Sequence, residues 1–365
     1  MQNFPDSSYI VSTTDFNELT ELNDAPQSAI PFTGFGGVPM MSDLPPVGLL
    51  SSLKLLVNLQ LVVTEALTTT YKFPHGLVRN LTLNVNGNTG LMSASALAYR
   101  AHSARLYRNP DNPILGDVGA VDLKGAPSAG STIALGTYTV MFEVDVPIVH
   151  DMTSLAGILF AQSDANEFSW SLTPEAFGNL FSGGAATISG NIYQSLGFFD
   201  IPRLQSDGKD AGGPVVPPMN WLHGFVEQRT SVPSTGASPI ALSKLSGQLL
   251  ALYWYIDDGA GAQVPVISGW DGIQFGYGVN RSPRNYSGPP GLGAIGLLNM
   301  NQKDYNGPIG PNYLVMDFEK DEPSRDVVYP KGVADLQLVN DITATQPISQ
   351  GAYAYYTAET LYSAS

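Results

Sequence analysis

The sequence contains no cysteine, which removes disulfides and thiolate metal sites and leaves the redox compartment open. Charge is also scarce. Asp, Glu, Lys and Arg make up 13% of the 365 residues, about half the usual share. A surface that poor in charge suits a protein packed against copies of itself. Basic residues are scarcer than acids, 17 against 32, for a formal net charge of −15. No Lys or Arg precedes Lys54, follows Lys331, or lies between Lys124 and Arg203. With no basic arm at either terminus to neutralise phosphate, direct nucleic-acid binding is not expected. Long apolar runs are missing too. The richest window, Leu44 to Val63, is broken by Ser51, Ser52, Lys54, Asn58 and Gln60, so no membrane span is expected. The opening MQNFPDSSYIV lacks the positive and apolar regions of a signal peptide.

Turn residues are abundant. The 38 Gly and 27 Pro accompany a hydrophobic content of 43%, the combination expected of an all-β sandwich with a sizeable core. Length gives a prior of two domains. The strand pattern is clearest around Tyr138, Val140, Phe142, Val144 and Val146, which alternate with Thr139, Met141, Glu143 and Asp145. Successive side chains of a strand point to opposite faces, so this reads as a half-buried strand, stopped by Pro147. Phe168, Trp170 and Leu172 alternate in the same way. So do Leu53 to Val63 and Leu77 to Val85, the latter ending at Asn86-Gly87, a tight-hairpin dipeptide. Arg79 falls on the apolar side of its run. Leu249 to Ile256 is apolar on both faces, as a strand covered on each side should be. The run from Ser52 to Val63 is faintly echoed at Ser243 to Trp254, a trace of duplication.

One helix is predicted over Ser93 to Arg108, with Ser at its start and Arg105 and Arg108 in its last turn, where cations suit the dipole. Its cluster of Arg100, His102, Arg105 and Arg108 reads either as a solvated face or as an assembly contact. Residues 1–46 carry six acids and no base. They read as an arm whose apolar anchors, among them Phe4, Tyr9, Phe16, Phe32 and Phe35, would order along a neighbour. On that reading, deleting residues 1–40 would leave soluble protein and impair assembly.

No catalytic constellation emerges. His75, His102, His150 and His223 show neither HxH nor HExxH spacing, so no metal site is expected. His150 beside Asp151 has no nearby nucleophile motif. Asp257-Asp258 and Asp321-Glu322 could serve a glycosidase or hold calcium, but acids beside Gly or Pro at strand ends are ordinary loop residues. PPGLGAIG at residues 289–296 lacks the Lys and Ser/Thr of a phosphate loop. Trp170, Trp221, Trp254 and Trp270 could line a sugar groove or fill a core.

Several segments, in order, resemble the major capsid proteins of tectivirus-type, membrane-containing icosahedral phages, members of the double jelly-roll lineage. LKLLVNLQLVVTEA followed by HGLVRNLTLNVNG resembles the opening strand pair of the first jelly roll. LGTYTVMFEVDVPIVHDMTSLAGILFAQ and ISGNIYQSLGFFDIP resemble its later strands, and YPKGVADLQLVNDITATQPISQGAYAYYTAETL resembles the closing strands. The resemblance implies two eight-stranded antiparallel jelly rolls: an arm at 1–46, a first jelly roll at 47–203, a linker at 204–218 and a second jelly roll at 219–365. It further implies a structural, non-enzymatic major capsid protein without cofactors. Such a protein would form a homotrimer that tiles a shell around an internal membrane and DNA genome. Its partners would be its own copies, penton and minor capsid proteins and, indirectly, the membrane; its place would be the virion, assembled in the host cytoplasm. Phe4, Tyr9, Phe16, Phe32, Phe35, Arg100, Arg105 and Arg108 are the expected assembly residues. The rival reading is a carbohydrate-binding or glycoside-acting two-domain β-sandwich, such as a phage spike or secreted lectin.

Overall fold

A computed structural model of the chain describes residues 9–10, 12–107, 130, 132–162, 166–202, 214–232, 235–242, 245–277, 281–285, 313–319, 336–342, 344, 346–349 and 351–363. Alternation becomes layering. In the strand Leu49–Glu65, Leu53, Leu55, Val57, Leu59, Leu61 and Val63 are buried and Gln60 is exposed. This strand lies between Gly136–Pro147 and Ala185–Phe199, with Leu22–Pro31 outside the latter, all antiparallel. Leu159–Phe160 pairs with its first residues. A second layer, in the order Asn88–Ala94, Val78–Val85, Phe168–Pro174, Met40–Asp43, closes the first sandwich. Its hairpin turns at Asn86 and Gly87, whose φ angles of +51° and +80° are the positive values a two-residue hairpin needs.

The second lobe repeats this plan. Leu314–Asp317, Gln248–Asp257, Tyr353–Ser363 and Trp221–Ser231 lie side by side, facing a layer of Arg281–Asn285, Trp270–Tyr277, Leu336–Ile342 and Gly236–Ala241. Gln248–Asp257 therefore holds the place that Leu49–Glu65 holds in the first lobe: next to the lobe's last strand, one removed from its first. The faint sequence echo overlaps these two equivalent strands, from Gln248 to Trp254 in the second. Phe225 and Val226 pair in parallel with Met92 and Ser93, which joins a layer of each lobe into one eight-stranded sheet. Because the second-lobe half of that sheet has a core on each side, Gln248–Asp257 is apolar on both faces. Leu249, Leu252, Trp254 and Ile256 enter the second-lobe core, and Ala251, Tyr253 and Tyr255 enter the first.

Two local readings need correction. Arg79 is exposed, because the pairing slips between Thr173 opposite Asn80 and Pro174 opposite Val78. That bulge turns Arg79 outward while Val78 and Leu81 stay buried. The lead is also more than an arm. Residues 22–31 are topologically the first strand of the first lobe, matching Trp221–Ser231 in the second, and 40–43 are an edge strand of the facing layer. Pro26 and Pro31 hid this: they break a strand signal but are tolerated on a sheet edge. Before them, the helix Thr13–Leu19, capped by Ser12, inserts Phe16 into a small cluster with Leu49, Val149, Leu155, Ile158, Phe160, Phe199 and Val215.

Candidate functional site

The one long helix described spans Ala96–Tyr107. It starts later than the sequence pattern suggests, since Ser93 belongs to the strand before it and Ser95 is the residue that accepts from Ala98 N–H. Ala98, Tyr99, Ala101, His102, Ala104 and Arg105 are all buried. A helix buried nearly all round has no polar stripe, and its polar side chains must then find partners inside.

Those partners converge on Glu359, on the last strand, which is wholly buried. Its Oε2 accepts hydrogen bonds from Arg105 Nη1 at 2.5 Å and the Tyr253 hydroxyl at 2.7 Å. Three imidazole nitrogens surround its Oε1: His102 Nε2 at 3.2 Å, His150 Nδ1 at 3.0 Å and His223 Nε2 at 3.3 Å. Arg105 also forks onto Asp317, with Nε 2.9 Å from Oδ2 and Nη2 3.2 Å from Oδ1, and donates to Glu319 at 3.1 Å. His150 Nε2 lies 2.9 Å from Glu319 Oε2, and His223 Nδ1 2.7 Å from the Pro147 carbonyl oxygen. The cluster thus ties a first-lobe helix and the turn after Pro147 to four second-lobe strands or strand ends.

Burial opposes charge on Glu359, Arg105, His150 and His223, and the partners overcome it unevenly. Burial raises the Glu359 carboxyl, but Arg105 first, then His102 and His150, hold it well below the usual carboxylate range. Burial also works against the Arg105 cation, which Glu359, Tyr253 and Asp317 keep charged. For His150, burial lowers the pKa, yet the hydrogen bonds it donates to Glu319 and Glu359 and the charges of those carboxylates push it up to about 10. At His223 burial prevails and the ring is driven toward neutrality, with His150 and His102 adding to the effect against Glu359.

The turn over His223 depends on Gly157. Its φ is +97°, and a Cβ there would lie 2.5 Å from the Ile148 carbonyl oxygen and 2.6 Å from His223 Cβ. Gly157→Ala is therefore expected to cost more than about 1 kcal/mol, read as a lower urea midpoint. An unchanged midpoint would mean that the turn does not lock against His223.

Among the expected assembly residues, Phe4 and Arg108 lie outside the described residues. Tyr9 pairs through its backbone with Val215. Phe16 and Phe32 are buried in this chain's own cores, and Phe35 meets Phe177 and Phe181 edge-on. Arg100 is half-buried. Arg105 lies neither on a solvated face nor on an outer surface; its guanidinium is taken up inside the chain, by Asp317, Glu319 and Glu359. The other chemical candidates are structural where described. His75 is buried against Phe142. Asp257 pairs with Lys72 and accepts from the Tyr71 hydroxyl, and Asp258 caps the backbone N–H groups of Ala260 and Ala262. Asp321 and Glu322 lie outside the described residues. Trp170, Trp254 and Trp270 are core residues, and only Trp221 reaches the surface, so no tryptophan groove forms.

The sequence pattern missed the cluster because its members are far apart in the chain: 257 positions separate His102 from Glu359. The one local hint was a helix that placed His102 and Arg105 one turn apart without a clear apolar stripe.

No protein-family model and no curated protein matches the sequence, but solved structures match its fold. The major capsid protein of STIV (Sulfolobus Turreted Icosahedral Virus) aligns at a TM-score of 0.62 and 15% identity, covering 93% of this chain and 97% of that one. A protein of the PBCV-1 virus capsid aligns at 0.60 and 12%, covering 94% of each. The major capsid protein P2 from Bacteriophage PM2 aligns at 0.50 and 13%, covering 94% and 99%. This chain has the double jelly-roll fold of these proteins.

Proposed function

We propose that the protein is a structural major capsid protein without catalytic activity. The observation that supports this most is the likeness of the two-lobed topology to viral major capsid proteins over 93% of the chain. Composition points the same way. The charge-poor surface includes exposed Val38, Met41 and Leu135, apolar side chains suited to burial between copies. On this reading three chains form a pseudo-hexagonal capsomer of six lobes, and capsomers tile an icosahedral shell around an internal membrane and DNA genome. Penton and minor capsid proteins would complete the shell, and assembly would take place in the host cytoplasm. The division into lobes at 204–218 belongs to the same proposal. So does an assembly role for the residues that precede the first strand, Phe4 and Tyr9 among them, and for Arg100 and Arg108. The rival carbohydrate reading loses its main support with the burial of Trp170, Trp254 and Trp270.

The test is mass in solution. Light scattering behind size exclusion is expected to give about three times the chain mass of 38.8 kDa down to nanomolar concentration, because large buried interfaces do not dissociate on moderate dilution. A stable folded monomer would contradict the proposal.

A further inference from the structure

The arrangement around Glu359 Oε1 asks for a cation. The Pro147 carbonyl oxygen can only accept, so at 2.7 Å His223 Nδ1 must carry the proton. In the neutral ring Nε2 then presents a lone pair to a carboxylate oxygen 3.3 Å away, acceptor against acceptor. His150 differs: with Glu319 on its Nε2 and Glu359 Oε1 on its Nδ1 it has a carboxylate on each nitrogen and acts as a donor to both. A histidine whose far nitrogen donates to a carbonyl or carboxylate while its near nitrogen is aimed inward is the usual setting of a metal ligand.

Distance and charge agree. Metal–ligand bonds of about 2.0–2.1 Å in a tetrahedral site put donor atoms roughly 3.3 Å apart, and the His102 and His223 nitrogens lie 3.2 and 3.3 Å from Oε1. His102, His223 and Glu359 place their ligand atoms within 4.8 Å of one another, all buried. The cluster sets one guanidinium against the carboxylates of Asp317, Glu319 and Glu359. His150 between Glu319 and Glu359 adds at most one further positive charge, so the three carboxylates still outweigh the cations, an excess that a bound metal ion would offset.

We propose that His102, His223 and Glu359 bind a divalent transition-metal ion of the zinc class. Nitrogen and carboxylate donors without thiolate suit zinc or cobalt and disfavour magnesium and calcium, which take oxygen shells. The ion would tie the first-lobe helix to second-lobe strands within a single chain, whatever the chain assembles into.

Tag-free, chelator-treated protein titrated with Co²⁺ provides the test. The expected result is one ion per chain, with the visible absorption of a four- or five-coordinate centre displaced by Zn²⁺, and a rise in melting temperature with Zn²⁺ but not with Mg²⁺. In His223→Asn the amide nitrogen can keep the bond to Pro147 while the ligand nitrogen is lost. Affinity should fall by more than about a hundredfold, beyond the usual loss from disturbing an outer partner. His102→Gln should do the same. Failure of the wild-type protein to bind stoichiometrically would overturn the proposal, as would unchanged affinity in either folded variant. If neither variant folds, the wild-type cobalt spectrum decides: the absorption of a six-coordinate oxygen-ligated ion would overturn it.

Discussion

Arg105→Met is expected to destabilise the protein by about 3–5 kcal/mol, the cost of removing one partner from a buried ion pair. The reason lies in what stays behind. Glu359 is wholly buried and Asp317 nearly so, and without the guanidinium both carboxylates lose their main compensation. Arg105 is the largest of the partners that hold the Glu359 carboxyl well below the usual range, so its removal leaves burial working against that charge. Arg105→Lys keeps a charge but loses the planar fork onto Asp317, so an intermediate loss is expected. Half-buried Arg100 gives the contrast: Arg100→Gln should cost less than about 1 kcal/mol. Chemical denaturation of the three variants reads this directly. A loss below about 1 kcal/mol in Arg105→Met would mean that the cluster is not a structural joint.

Deletion of residues 1–31 is expected to abolish cooperative folding, not merely assembly. The deletion removes a strand that makes eight residue pairs with Ala185–Phe199 and leaves that long strand as a bare edge, a template for aggregation. It also removes Phe16, buried to 0% exposure beside Phe199. Loss of a buried Phe alone costs about 3–5 kcal/mol, against a typical total stability of about 5–15 kcal/mol. Insoluble product, or soluble product without a sharp thermal transition, is the expected outcome. A soluble truncated protein with wild-type melting would show that the lead is dispensable to the fold, as its sequence alone would suggest.

The contrast between these two regions shows what could be read without coordinates. Leu53 to Val63 and Tyr138 to Val146 announced themselves because burial on one face of a sheet forces alternation with period two. Gln248–Asp257 was legible by the reverse logic, since a strand with a core on each side has no polar face. Leu22–Pro31 was not legible. An edge strand tolerates prolines and acids that a central strand rejects, so its composition resembled a tail. The charge cluster was illegible for another reason. Arg105 and His102 owe their burial to Asp317, Glu319, His223 and Glu359, which come from the other lobe, and the joining of the lobes, seen in the pairing of Phe225 with Met92, is a long-range feature. Helix-terminal arginines are usually solvated, and local pattern has no means of signalling the exception.

Electron microscopy of the purified protein tests the capsid reading most directly. A capsid building block with this fold should appear as flat particles of pseudo-hexagonal outline, six lobes around a threefold axis, which join into sheets or closed shells at high concentration. Monomeric two-lobed particles, or oligomers of another symmetry that never tile, would contradict it.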